Sequence, residues 1–194
     1  MMQLQRSNAG SDNEVVKQTY ETARDCLKTN YYGDYYGVKQ LTEALIPLLQ
    51  KSNSAMIVNV SSSVGKLRVI PNEKAKRVLG DTNSLIEEEV DNLVEEFMED
   101  VKQSLVEAKG WPAKLSAYIV SKAALNDYTR VLAKTYPNIA INAVDTSFTR
   151  TDKNKNTGVL TVKEGAKGPL KLALSPDSRV SGLYFEQTEL STFD

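Results

Sequence analysis

Two short apolar segments with a long helical pattern between them constrain the fold more than any other feature. Ala55–Val60 and Ile139–Val144 are apolar and rich in β-branched residues, as strands buried on both faces are. The helix predicted over Leu115–Tyr136 is too long for a hairpin connection, so we expect two adjacent, parallel strands joined by a right-handed crossover. A last short strand is predicted at Leu183–Phe185. The pattern is typical of an α/β protein with a parallel sheet.

Helix starts are marked by capping boxes, in which Ser or Thr is followed three residues later by Glu. The pattern occurs at Ser11–Glu14, Ser84–Glu87 and Thr161–Glu164, and it predicts a helix at each place. After the second box, apolar residues recur at helical spacing over residues 86–105 and predict an amphipathic helix. The helix after the third box is expected to run to about Leu174.

Composition excludes several classes of function. The 194 residues suffice for one domain, and a net charge of −1 argues against binding to nucleic acid. There are no histidines, so Ser-His-Asp catalysis and His-ligated metal sites are excluded. Cys26 is the only cysteine, so no internal disulfide can form, and we expect a reducing, cytoplasmic location. No apolar run reaches the roughly 20 residues of a membrane helix, so no membrane partner is expected.

Tyr118 and Lys122 are four residues apart on the long predicted helix and therefore share one of its faces. A nearby ammonium favours the phenolate, so Lys122 can lower the pKa of Tyr118 from its usual value of about 10 and make it a general acid. Ser61, Ser62 and Ser63 follow the first predicted strand directly, where a hydroxyl could hold a substrate carbonyl. Taken alone, a Tyr and a Lys at this spacing are as a rule ordinary residues of a helix surface.

Several sequence strings supply the missing context. They occur in the order VNVSSSVG (58–65), AYIVSKAAL (117–125), INAV (141–144), NTGVLT (156–161) and SGLYF (181–185). Together they resemble the short-chain dehydrogenase/reductase superfamily, and within it the plant carbonyl reductases of the neomenthol dehydrogenase and salutaridine reductase type. The resemblance implies a truncated Rossmann-type parallel sheet with flanking helices, in a single domain over residues 1–194. It also implies a helical insertion at about 71–112.

The resemblance implies roles for four residues. Tyr118 matches the general acid of the family, and Lys122 matches the lysine that lowers the pKa of this tyrosine and hydrogen-bonds the nicotinamide ribose. Ser62, the second of the three serines, matches the catalytic serine, which leaves structural roles for the serines beside it. Thr151 matches the threonine that contacts the carboxamide of NADP(H).

Two further matches are incomplete. Asn8, Ala9 and Gly10 resemble the end of a segment that binds the cofactor in the family. Relatives also carry an N-Y-Y-G-V-K segment whose Asn is a proton relay, whereas here the YYG string occurs twice. Either Asp34 takes the relay position or a bulged loop leaves Asn30 in it, and both stay candidates.

The chain departs from the family at features that bind the cofactor. None of its ten glycines falls in a glycine-rich phosphate-binding motif, and the chain begins about where the fourth strand of the family should lie. We therefore expect the first half of the fold to be missing and NADP(H) binding to be weak or absent. Thr146 and Ser147 replace a Pro-Gly pair, and they cannot reproduce the fixed φ of Pro or the freedom of Gly. Asp145 adds a carboxylate beside the site.

The function implied by the resemblance is the NADPH-linked reduction of a small apolar ketone, such as a terpenoid or an alkaloid. A cofactor-independent isomerase or cyclase and a non-catalytic binding protein are the alternatives on the same scaffold. The apolar stripe at 86–105 is expected to cover the helices at 15–48 and 115–136, through which many family members dimerise. A sheet without its first strands has an open edge, so self-association is expected there, next to Met1–Arg6.

Overall fold

The computed structural model describes residues 20–27, 29, 35–81, 84–174 and 180–194, which form a four-stranded sheet with flanking helices. The strands are β1 (Met56–Ser61), β2 (Ala140–Asp145), β3 (Tyr184–Glu186) and β4 (Glu189–Ser191), in that order across the sheet. The helices are α1 (Tyr20–Leu27), α2 (Tyr36–Leu49), α3 (Glu73–Gly80), α4 (Glu87–Lys102), α5 (Ser116–Thr135), α6 (Val162–Gly165) and α7 (Lys167–Leu174).

The two main strands are adjacent and parallel, as the sequence predicted. The ladder between β1 and β2 runs from Met56 opposite Ala140 to Ser61 opposite Asp145. Between them in sequence, α5 packs against both strands and makes the predicted crossover. β3 adds a further parallel strand beside β2, close to the predicted short strand at 183–185. The α/β fold with a parallel core is therefore confirmed.

β4 is a strand that the sequence pattern did not predict, and it makes the sheet mixed instead of purely parallel. It pairs antiparallel with β3. Its three residues carry no β-branched side chain, and the turn before it places Gln187 at φ 56°, where the sequence offers no Gly as a signal. The hairpin is specified by its tertiary contacts and not by its own propensity.

Helices cover both faces of this sheet. Asn59 faces α5, because its side chain donates to the Thr129 hydroxyl at 2.9 Å. Its partner in the ladder is Ala143, so the next residue, Val144, points to the opposite face. There the Val144 side chain lies against Gly168 of α7. The strands therefore lie between α5 and α7. Because β1, β2 and β3 are parallel, their carboxyl ends lie on the same side of the sheet.

α4 confirms most of the apolar stripe predicted over 86–105. Its buried residues include Val90, Leu93, Phe97 and Val101, and the helix packs against α5 and α1. The ring of Phe97 meets that of Trp111 edge to face, with 5.1 Å between the ring centres. The stripe is therefore covered by helices of its own chain.

The start of α4 differs from the predicted capping box. The helix begins at Glu87, and it is the Glu89 carboxylate that accepts from the N–H of Ile86, at 3.2 Å. The N–H of Ser84 donates to Asp81, where the preceding helix ends. The acidic run offers several Glu residues at the helix start, and Glu89 takes the capping role that was predicted for Glu87. Ile86 thus lies outside the helix and is exposed.

The capping box at Thr161 forms as predicted. The Thr161 hydroxyl accepts from the N–H of Glu164 at 3.2 Å, and the Glu164 carboxylate accepts from the N–H of Thr161 at 2.8 Å. These hydrogen bonds hold the pKa of Glu164 below its ordinary value. The single predicted helix is instead divided into α6 and α7. The box predicted at Ser11–Glu14 lies outside the described residues.

The described residues contain neither a membrane-spanning helix nor a metal-binding cluster. None of the helices there is both long and apolar enough to cross a membrane. In the same part of the chain, no cluster of three or more Cys, Asp or Glu side chains could hold a metal ion.

Candidate active site

The turn after β1 carries the three predicted serines. Ser61 is buried, and its hydroxyl donates to the amide oxygen of Asn126 at 2.6 Å. Ser62 is half-buried, and its carbonyl accepts from the N–H of Gly65 at 3.0 Å, which closes a 3-10 turn over Ser63–Gly65. Ser62 therefore lies at the carboxyl end of β1, on the edge where parallel α/β sheets bind ligands.

A glycine allows this turn to lie directly on α5. A Cβ at Gly65 would come within 2.6 Å of the main-chain carbonyl carbon of Lys122, closer than real side chains approach. The Asn126 amide, one helical turn beyond, donates to the Gly65 carbonyl at 3.1 Å. The turn that carries Ser62 is thus held against the segment of α5 that carries Lys122.

The structure brings Tyr118 and Lys122 together on one face of α5, as their spacing predicted. The Nζ atom of Lys122 lies 6.0 Å from the centre of the Tyr118 ring. It also donates to the carbonyl of Val60 at 3.4 Å, two residues before Ser62. Lys122 is buried and Tyr118 is half-buried. The Lys122 ammonium therefore lies near both the Tyr118 ring and the last residues of β1.

Asn126 is a site residue that the sequence reasoning missed. It is buried, and it links the hydroxyl of Ser61 to the carbonyl of Gly65. A signal existed, because Asn126 follows Lys122 by four residues and Tyr118 by eight and so shares their helix face. Since an amide neither transfers protons nor carries charge, its chemistry alone did not single it out.

The loop after β2 places Ser147 in a backbone conformation that favours glycine. Ser147 has φ 57°, in the left-handed region. Ser does not have the conformational freedom of Gly, as expected, but a local hydrogen bond supports this conformation. The N–H of Ser147 donates to one oxygen of the Asp145 carboxylate at 2.7 Å, and the N–H of Ser63 donates to the other at 2.8 Å.

Plant proteins of known sequence and structure are similar to most of this chain. Short-chain dehydrogenase/reductase 1 of Saponaria officinalis is 52% identical over 180 residues, which are 93% of this chain and 58% of that protein. The solved structure of salutaridine reductase from Papaver somniferum matches with a TM-score of 0.79 and 47% identity, over 87% of this chain and 56% of that one. The chain belongs to the short-chain dehydrogenase/reductase family.

A second plant relative matches the chain over a similar extent. The (+)-neomenthol dehydrogenase of Arabidopsis thaliana is 46% identical over 193 residues, which are 97% of this chain and 64% of that protein. The chain therefore spans less than two thirds of the length of these relatives. No protein-family model matches it.

The remaining candidate residues are placed differently. Thr151 is exposed at the start of a 3-10 turn over Asp152–Asn154, and its N–H donates to the side-chain oxygen of Asn154 at 3.0 Å. Outside the described residues lie Asn8, Ala9, Gly10, Asn30 and Asp34. The described residues therefore include Ser62, Tyr118, Lys122 and Thr151, whereas the relay candidates and residues 8–10 stay predictions.

A cleft of about 530 Å³ runs along the outer edge of β1. It is lined by Gly37, Val38, Leu41, Val58, Asn59, Val60, Lys122 and Leu125. Its wall is mainly apolar, and Lys122 is the charged member of this lining. In the described part of the chain, no strand pairs with this edge of β1.

A buried ion pair fastens the C-terminal hairpin to the segment that follows the serine turn. Lys66 is only 1% exposed, and its Nζ lies 2.6 Å from the Glu186 carboxylate, 2.9 Å from the Ser191 hydroxyl and 4.9 Å from the centre of the Tyr184 ring. The hydrogen bond from Lys66 lowers the pKa of Glu186. Burial, reinforced by the charge of Asp145, raises the pKa of Tyr184, so this phenol stays protonated.

Proposed function

We propose that this chain carries the acid-base residues of a carbonyl reductase. Tyr118 donates a proton to the oxygen of a ketone, Ser62 holds that oxygen by a hydrogen bond, and Lys122 stabilises the phenolate that remains. The observation that carries this proposal is the Lys122 ammonium, which lies 6.0 Å from the centre of the Tyr118 ring. The backbone of Lys122 also packs directly against Gly65, in the turn that follows Ser62. The names of the relatives support a small apolar ketone, terpenoid or alkaloid, as substrate.

The fit of NADP(H) to the chain is uneven. When bound, NADPH supplies the hydride for such a reduction. Lys122 offers an ammonium to the ribose hydroxyls, and the exposed Thr151 offers a hydroxyl to the carboxamide. The pyrophosphate has no matching loop, because none of the ten glycines falls in a glycine-rich motif. We expect a dissociation constant above about 1 μM, which is binding weaker than about −8 kcal/mol.

Two measurements test the proposal. Fluorescence titration with NADPH measures binding, and product analysis at millimolar NADPH measures conversion of salutaridine and of a panel of terpenoid ketones. We expect slow reduction that Tyr118→Phe abolishes. Tyr136→Phe is the matched control, because Tyr136 lies at the end of α5, more than four turns from Tyr118.

The other outcomes separate the alternatives. Ketone conversion that does not need NADPH would show that the function is that of a cofactor-independent isomerase or cyclase and not of a reductase. Binding of ketone or NADPH without conversion would leave a non-catalytic binding protein. Reduction that survives Tyr118→Phe would overturn the assigned acid.

We propose one domain over 1–194, a cytoplasmic location, and a cofactor contact at residues 8–10. For the proton relay, Ala variants of Asn30 and Asp34 decide between the two positions, since only the residue in register should slow reduction when it is replaced.

We also propose that a second copy of the chain covers the edge of β1 that pairs with no strand in the described part of the chain. The residue Val60 is 48% exposed on this strand, and the apolar cleft lies beside it. An unpaired edge offers its N–H and C=O groups to another strand. Light scattering should show association that Val60→Lys weakens and Val162→Lys, also at an exposed valine, does not. A stable monomer at high concentration would refute this.

A further inference from the structure

We propose that Asp145 is a positioning residue, which orients the candidate catalytic Ser62 by holding the turn after β1 against the loop after β2. This inference rests on the proposed function of the Ser62 site. Asp145 is the last residue of β2 and is 7% exposed, although it carries a carboxylate. Burying a carboxylate costs free energy unless hydrogen bonds satisfy its oxygens. The hydrogen-bond partners of Asp145 therefore indicate which segments it holds in place.

Both oxygens of this carboxylate accept from main-chain amides in different loops. One accepts from the N–H of Ser63 at 2.8 Å, and the other accepts from the N–H of Ser147 at 2.7 Å. The main-chain carbonyl of Asp145 accepts from the N–H of Gln187 at 2.9 Å. One residue therefore joins the loops that leave β1 and β2 to the turn between β3 and β4.

The bond to Ser63 fixes the peptide unit on the carboxyl side of Ser62. The carbonyl of this unit accepts from the N–H of Gly65 at 3.0 Å, and its N–H donates to Asp145. With both polar groups of the peptide occupied, the plane of the unit cannot rotate without breaking a hydrogen bond. This plane sets the ψ angle of Ser62 and so constrains the direction of its Cα–Cβ bond, which means that Asp145 acts on the serine through the backbone.

A purely structural role for Asp145 predicts something different. Ser147 has φ 57°, which is strained for a residue with a Cβ, and its bond to Asp145 offsets this strain. If relief of strain were the whole role, Ser147→Gly would make the carboxylate dispensable. If Asp145 positions the serine turn, Ser147→Gly restores stability but not the order of that turn.

The experiment measures amide hydrogen exchange at Ser63 by NMR in wild-type protein, in Asp145→Asn and Asp145→Ala, and in Asp145→Ala combined with Ser147→Gly. Asp81→Asn is the matched control, because Asp81 also accepts from a main-chain amide but lies far from the site in sequence. We expect exchange at Ser63 to rise at least tenfold in Asp145→Ala. Ser147→Gly should then raise the melting temperature of that variant without slowing exchange at Ser63.

The isosteric Asp145→Asn variant keeps the test decisive if Asp145→Ala does not fold. An asparagine keeps one acceptor oxygen and presents an NH2 group to the second amide, so exchange should rise tenfold at Ser63 or Ser147 but not at both. Unchanged exchange at both amides, or full recovery at Ser63 on adding Ser147→Gly, overturns the proposal. Because exchange needs no NADPH, its result stands apart from the turnover that tests the proposed function.

Discussion

Lys66 and Glu186 form an ion pair whose two ends differ in exposure, and this asymmetry predicts unequal effects of removing them. Lys66 is 1% exposed, whereas the side chain of Glu186 is 45% exposed. Glu186→Gln leaves a buried ammonium whose remaining partners among the described residues are neutral, namely the Ser191 hydroxyl and the Tyr184 ring. Lys66→Met removes the buried charge and leaves a carboxylate that water can reach.

The magnitudes follow from this difference. Breaking a buried ion pair on one side costs about 3–5 kcal/mol. Water screens the half-exposed Glu186, so we expect about 2 kcal/mol for Glu186→Gln, which is a fall of about 4–8 °C in melting temperature for a chain of this length. An apolar replacement for a buried charge is often close to neutral, so Lys66→Met should cost less than about 1 kcal/mol. The double variant should resemble Lys66→Met alone.

Thermal denaturation at pH 7 measures these three variants, with Glu189→Gln on the same hairpin as the control. Glu189 is exposed, and its replacement should change the unfolding free energy by less than about 0.5 kcal/mol. If Lys66→Met destabilises as much as Glu186→Gln, the reasoning from burial is refuted.

The pH dependence adds an independent check on the same pair. The folded pKa of Glu186 lies below its ordinary value of 4.5, chiefly because Lys66 hydrogen-bonds the carboxylate. The unfolded chain therefore takes up this proton first as the pH falls. The stability that the pair contributes is complete above pH 4.5 and is lost as the pH falls through the folded pKa. The difference between wild type and Glu186→Gln should shrink over this acid range, and a constant difference would contradict the assignment.

Three more substitutions test the packing of the site and the insertion. Gly65→Ala should destabilise the protein by about 1–3 kcal/mol, because its Cβ would meet the backbone of Lys122 at 2.6 Å. Gly80→Ala is the control and should not destabilise it, since the nearest neighbour of that Cβ is 3.6 Å away. Equal melting temperatures of the two variants would contradict this contact. Asn126→Ala should lower the free energy of unfolding, measured by urea denaturation, by about 2 kcal/mol or more, since the Gly65 carbonyl loses its donor. Replacement of the exposed Asn92 by Ala is the control and should lower it by less than about 0.5 kcal/mol. Phe97→Ala should cost about 3–5 kcal/mol and the exposed Glu95→Ala very little, and a small effect at Phe97 would mean that α4 is not part of the core.

The sequence by itself was enough for the elements whose signals are local. The β-branched runs predicted β1 and β2, and the long helical pattern predicted α5 and thereby the parallel pairing of the strands. The meeting of Tyr118 and Lys122 was predictable for the same reason, because the geometry of one helix places residues four apart on the same face. Motif order along the chain predicted the family.

Only the tertiary structure could decide which distant segments hold the site together. Asp145 binds an amide 82 residues before it in the chain, and Asn126 binds a carbonyl 61 residues before it. The sequence predicted β3 but not β4, because β4 is short and polar. It is held by Lys66, which is distant from it in the sequence. These contacts form because the strands end side by side, which brings together loops that are distant in the sequence. A sequence pattern encodes the spacing of residues within a helix or strand, but it carries no record of which loop ends face each other once the sheet has formed.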